Sequence, residues 1–129
     1  MDYLNGLNDA QLGAVQHTHG PALVDAGPGS GKTKTLASRI AYLLDSGVPS
    51  GQILAVSFTR KSSQELAHRA QSLTDKVVAV STFHKWAITS LRDAGIRFAI
   101  LSADSQESFF RNLYPDDHTR RQVMTVIDK

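Results

Sequence analysis

Between Ala26 and Thr33 the chain reads Ala-Gly-Pro-Gly-Ser-Gly-Lys-Thr, and Lys34 follows. Three alternating glycines, a lysine and a hydroxyl residue are the parts from which a triphosphate site is made. Gly27, Gly29 and Gly31 let the backbone wrap closely, because positive φ costs glycine little. The backbone N–H groups then converge as an anion nest at the start of the following helix. Lys32 brings a compact positive charge to the β- and γ-phosphates, and the Thr33 hydroxyl is a ligand for Mg²⁺. The strict pattern Gly-x-x-x-x-Gly-Lys-[Ser/Thr] asks for glycine where Ala26 stands. Ala26 ends the preceding strand, where a small side chain suffices, so the expected nucleotide loop of the Walker A kind comprises Ala26, Gly27, Pro28, Gly29, Ser30, Gly31, Lys32 and Thr33. The plain alternative is a glycine-rich turn that binds nothing. A setting between a strand and a helix weighs against it.

The elements that must hold this loop are legible from periodicity. Asn8 or Asp9 caps a first helix whose apolar face holds Leu12 and Val15. "PALVDA" reads as a short buried strand leading into the loop. "KTKTLASRIAYLLDSG" is a helix, with Leu36, Ile40, Leu43 and Leu44 at near-3.6 spacing and Gly47 as its stop. "QILAVSFT" is a second strand, followed by a helix from about Ser62 that carries Leu66, Ala70 and Leu73 on one side. "KVVAVSTF" is a third strand, and "HKWAITSLRDAG" a third helix ending at Gly95, with Trp86 and Ile88 as packing residues. Alternating strands and helices predict an α/β fold with a parallel sheet flanked by helices, whose ligands bind beyond the strands' carboxyl ends. Past residue 95 the pattern changes. "RFAIL" is a short extended piece at most, and "SADSQESFFRNLY" and "DDHTRRQVMTVIDK" both begin with acidic or hydroxyl residues and read as helices. The expected division is therefore 1–95 and 96–129.

Composition narrows the classes. The chain has 129 residues, 41% apolar and 20% charged, which is the balance of one globular domain. No cysteine is present, so disulfide frameworks and thiolate chemistry are excluded. A formal charge of +2 permits a nucleic-acid partner without arguing for one. The N-terminus lacks the basic start and apolar run of a signal peptide, and no apolar stretch approaches the roughly 20 residues of a membrane span. A soluble, cytoplasmic protein is expected.

The run "LNDAQLGAVQHTHGPALVDAGPGSGKTKTLASRIAYLL" resembles the opening of the superfamily 1 DNA helicases of the UvrD, Rep and PcrA type. "LNDAQ" is similar to their glutamine motif, which implies that Gln11 reads the adenine edge with its paired donor and acceptor. "AVSFTRKSSQELAHR" resembles their single-strand-binding motif, with Arg60 in place of an asparagine and Ser62 and Ser63 in place of alanines. That resemblance implies that Phe58, Thr59 and Lys61 lie along a DNA track; on its own, Phe58 is as well explained as a core residue. "STFHKWA" matches the family's Thr-Phe-His motif and implies DNA contact by Thr82, Phe83 and His84. Lys34 stands where relatives often carry an arginine near the adenine. The resemblance covers roughly residues 4 to 90 and is loose beyond. It implies a RecA-like P-loop NTPase fold, with 96–129 as the start of a helical accessory subdomain. ATP and Mg²⁺ become the expected cofactors, and single-stranded DNA or DNA junctions the expected partners, at the nucleoid.

Hydrolysis in that family needs an Asp-Glu-x-Gln motif and arginines from a second motor domain. No Asp-Glu pair occurs in this sequence. "VMTVIDK" ends in Asp128, but its Val123, Val126 and Ile127 fall at helical spacing and no Glu follows, so it is not read as a metal-binding strand end. The expectation is an N-terminal piece of an ATP-dependent DNA helicase, inactive or very weak alone, whose partner is the rest of that chain. Two alternatives are a compact P-loop kinase of a small metabolite, with lid arginines such as Arg120 and Arg121, and an inactive nucleotide- or DNA-binding stub.

Overall fold

The computed structural model describes residues 2–127. Asp128, weighed above as a strand-end acid, lies outside the described residues. Among those residues the chain forms six α-helices, two short 3₁₀ turns and two strands. Two compact units divide it, residues 1–94 and 95–129.

In the first unit, α1 (Asp9–Gln16) begins with a reciprocal capping box. Asn8 Oδ1 accepts from the Gln11 backbone N–H, and Gln11 Oε1 accepts from the Asn8 N–H. Two otherwise orphaned donors are thereby satisfied. The helix α2 (Lys32–Asp45) follows the glycine loop directly, and α3 (Arg60–Gln71) and α4 (Phe83–Asp93) each follow a strand. The strands β1 (Leu54–Ser57) and β2 (Ala79–Thr82) pair in parallel, Leu54 opposite Ala79 and Ser57 opposite Thr82, with α3 as their crossover. A core of Ala37, Ile40, Leu44, Ile53, Leu66 and Ala70 is built where α2 and α3 meet the start of β1. A fully buried leucine such as Leu44 contributes about 2 kcal/mol. Cations close two helix ends: Arg39 Nη1 donates to the carbonyls of Ala14 (2.8 Å), Val15 and His17 at the end of α1, and Lys76 Nζ donates to Leu44 O (3.1 Å) at the end of α2. Both lie where the helix dipole favours positive charge.

Three expectations are corrected. "PALVDA" forms no strand: residues 21–27 carry no regular structure, and Leu23 is 95% exposed. A strand exists only through ladder partners, and the described sheet pairs β1 with β2 alone. Trp86 is 45% exposed, and α4 buries no residue. Leu36, placed on the apolar stripe of α2, is half exposed, between the loop cavity and the edge of the core. A smaller difference is that α3 starts at Arg60, because Thr59 caps it by accepting from Ser62 N–H at 3.1 Å.

The second unit holds α5 (Ala103–Leu113) and α6 (Asp117–Ile127); residues 96–102, which include "RFAIL", are irregular, not a strand. Asp116 Oδ2 accepts from Thr119 N–H at 2.8 Å, and this bond holds its carboxyl below the usual aspartate range. Phe110 meets Phe109 edge-on and stacks on Tyr114. Arg120, with a side chain only 14% exposed, pairs with Asp117 and Glu107 and donates to Tyr114 O.

Candidate nucleotide and nucleic-acid site

The glycine loop wraps by two positive-φ residues. Gly29 (φ +74°) and Gly31 (φ +84°) occupy the left-handed region, and Gly31 is also the N-cap of α2. A Cβ on Gly31 would sit 3.0 Å from Gln11 Nε2, so a larger residue there would strain the backbone and push the Gln11 amide aside. Gly27 needs neither freedom: its φ is not positive and a Cβ there would meet nothing within 4 Å. Ser30 closes the turn, its hydroxyl donating to Gly27 O at 2.7 Å.

Lys32 is the first residue of α2, and its Nζ donates to Ala26 O (3.0 Å) and Gly27 O (2.6 Å), so the ammonium lies across the mouth of the loop. Thr33 is the second residue of the helix and is half-buried. Gln11 reaches the loop from α1, its Nε2 donating to Ser30 O at 2.9 Å. A cavity of about 540 Å³ opens beside these groups, lined by Gln11, Ala26, Gly27, Ser30 and Lys32. It is also lined by Asn8, Asp25 and Arg39, none of which sequence reasoning assigned to the site. Arg39 was detectable in principle. Lys32, Leu36 and Arg39 are spaced i, i+4, i+7 and share one face of the helix. Lys34 does not line the cavity; its Nζ donates to Asn5 O (3.1 Å) and Gly6 O (2.7 Å). Pro28 lies at the exposed tip of the turn and does not line it either.

A second recess of about 770 Å³ lies in the same unit, beyond the carboxyl ends of β1 and β2. The parallel register sets Ser57 opposite Thr82, so the two following segments emerge side by side. Each opens a helix with a threonine cap: Thr59 for α3, and Thr82 for α4, whose hydroxyl accepts from Lys85 N–H at 3.3 Å. Phe58 is 84% exposed, which removes the core reading of that residue. The recess is lined by Phe58, Thr82 and His84, and also by Arg60, Lys85 and Arg92, which add positive charge not assigned from the sequence. Phe83 is half exposed, and Lys61 is exposed in the first turn of α3; neither lines the recess, and nor does Thr59. Among the described residues no cluster of three or more His, Asp or Glu side chains is placed to hold a metal, and no helix is long and apolar enough to cross a membrane.

The chain matches the family model for the UvrD/REP helicase N-terminal domain over residues 7–128. It is 42% identical over 122 residues to a probable DNA helicase II homolog of Rickettsia conorii, a match covering 87% of this chain and 19% of that protein. It is 40% identical to the ATP-dependent DNA helicase PcrA of Leuconostoc citreum (87% of this chain, 16% of that protein) and of Staphylococcus aureus (89% and 17%). The chain thus spans less than a fifth of the length of the curated relatives it matches. A glycine loop at the head of α2 and a match over residues 7–128 agree, and the chain belongs to the UvrD/REP helicase N-terminal domain family.

Proposed function

We propose that this chain is the nucleotide-binding and single-strand-contacting part of an ATP-dependent DNA helicase, built on a RecA-like P-loop scaffold. The observation that carries the reading is the Lys32 ammonium held over a positive-φ glycine loop at the N-terminus of α2, with Gln11 beside it. Loop amides and Lys32 bind the phosphates, and Gln11, whose Oε1 and Nε2 are held by Asn8 N–H and Ser30 O, would exchange those bonds to read the base. Thr33 offers one hydroxyl, which fits a cation whose other ligands come from the nucleotide and water. That Mg²⁺ would offset phosphate charge. Phe58, Thr59, Lys61, Thr82, Phe83 and His84, with the cations around them, form the strand-contacting surface: aromatic faces stack on bases while hydroxyls and cations meet phosphates. Stepping along DNA, at junctions or elsewhere, requires a second motor domain and an acidic hydrolytic motif, and these 129 residues contain no Asp-Glu pair. Residues 96–129 are assigned to the start of the accessory subdomain, and a DNA substrate places the protein in the cytoplasm at the nucleoid.

The metabolite-kinase alternative loses support from Arg120, which is tied into the α5–α6 pair instead of standing free as a lid arginine. Titration with a fluorescent ATP analogue tests the nucleotide half of the proposal. Lys32→Ala is expected to lower affinity at least about tenfold, since it removes a charge-assisted contact of about 1.5–3 kcal/mol. Equal binding by both proteins would overturn it.

A further inference from the structure

We infer that Lys34 is a positioning residue for the base-recognising side of the nucleotide site: its ammonium latches the Asn5–Gly6 turn to the first turn of α2 and thereby sets where Gln11 meets the loop. The inference rests on the nucleotide reading above. Lys34 Nζ donates to two successive carbonyls, Asn5 O at 3.1 Å and Gly6 O at 2.7 Å. Both turn toward the ammonium because Gly6 adopts φ +68°, and a Cβ on Gly6 would stand 3.0 Å from that same Nζ. Turn and side chain are therefore fitted to each other. A compact ammonium with three donors suits two neighbouring carbonyls, whereas a planar guanidinium suits the parallel oxygens of a carboxylate.

Two residues after the latched turn, Asn8 opens the capping box with Gln11, and Gln11 Nε2 continues to Ser30 O. The contacts form a closed circuit: Lys34 on α2, the Asn5–Gly6 turn, Asn8, Gln11, Ser30, and back to α2 through Gly31. Lys34 itself stays outside the cavity that Gln11 lines. Its effect on a nucleotide consequently passes through Gln11, while Lys32 keeps separate partners in Ala26 O and Gly27 O.

The test compares ATP with inorganic tripolyphosphate, both with Mg²⁺, by calorimetry on the 129-residue chain. Lys34→Met is expected to weaken ATP roughly fivefold while tripolyphosphate changes less than about twofold, and Gly6→Ala to do the same. In a Gln11→Ala background Lys34→Met should add almost nothing, because the two act in series. Hydrogen exchange gives a readout independent of nucleotide: the Gln11 and Leu12 amides, bonded to Asn8 Oδ1 and Asn8 O, should exchange faster in Lys34→Met while α3 is unchanged. Equal losses for ATP and tripolyphosphate, full additivity with Gln11→Ala, or unchanged exchange at Gln11 would each overturn the latch. Failure of the parent chain to bind ATP, or binding indifferent to Lys32→Ala, overturns the nucleotide reading and the latch's role in it together.

Discussion

At the scale of single residues, the site turns on glycines in a backbone conformation that other residues rarely adopt. Gly31 shows this most directly, since a Cβ would strain the backbone and press on Gln11. The loop's glycines were readable from the sequence as a group, but the division of labour among them was not. Which glycine needs positive φ depends on the turn actually adopted, and here Gly29 and Gly31 need it while Gly27 does not. Lys34 was singled out beside the adenine, but its latch was out of reach of sequence reasoning, because its partners are backbone carbonyls 28 and 29 residues away. A different residue carries a stability prediction. Ser38 is fully buried in α2, and its hydroxyl has no hydrogen-bond partner among the described residues. An unmatched buried hydroxyl costs desolvation with no return, and alanine is the better helix former. Ser38→Ala is expected to raise stability by about 0.5–1 kcal/mol, read as a higher urea midpoint with an unchanged slope. A lower midpoint would mean the hydroxyl has a partner.

At the scale of elements, caps and periodicity located the helices well. Asn8, Thr59, Thr82 and Ser102 each receive a backbone N–H at the head of a helix. Local signals of that kind are complete within a few residues. Strands are different, because a strand needs a neighbour that local sequence cannot supply; "QILAVSFT" and "KVVAVSTF" find each other, and "PALVDA" does not. Trp86 was misplaced for a related reason: the amphipathic pattern of α4 identifies an apolar face but not whether anything covers it. One tie between elements has a pH signature. The buried Tyr3 phenol donates to Asp45 at 2.8 Å, joining the N-terminal turn to the end of α2. Burial, helped by that hydrogen bond and the Asp45 charge, pushes its pKa from 10.0 up to about 12. A raised folded-state pKa means the folded chain holds its proton more tightly than the unfolded one. The tie's contribution is therefore complete below pH 10 and is lost as pH rises toward 12. Denaturation midpoints measured from pH 9 upward should fall across that window, and the portion due to Tyr3 should vanish in Tyr3→Phe. Parallel curves for the two proteins would contradict the assignment.

At the scale of the whole molecule, function depends on charge gathered at one place more than on the formal total of +2. Arg60, Lys85 and Arg92 join His84 and the exposed Phe58 around one recess. Fluorescence anisotropy with labelled single-stranded DNA should therefore show affinity that falls steeply with salt. Phe58→Ala should weaken binding at every salt concentration by about 1–3 kcal/mol, the usual worth of one stacked base. Binding that ignores both salt and Phe58 would rule out this surface. The same purified chain is expected to show no robust DNA-stimulated ATP turnover, since it carries no Asp-Glu pair to orient water. Residues 21–27 bear on how such a preparation behaves in the tube. An irregular stretch with the exposed apolar side chains Leu23 and Val24 is a template on which a second chain can add a strand. Self-association should accordingly grow with protein concentration, and a charged residue in place of Leu23 should suppress it without touching the glycine loop.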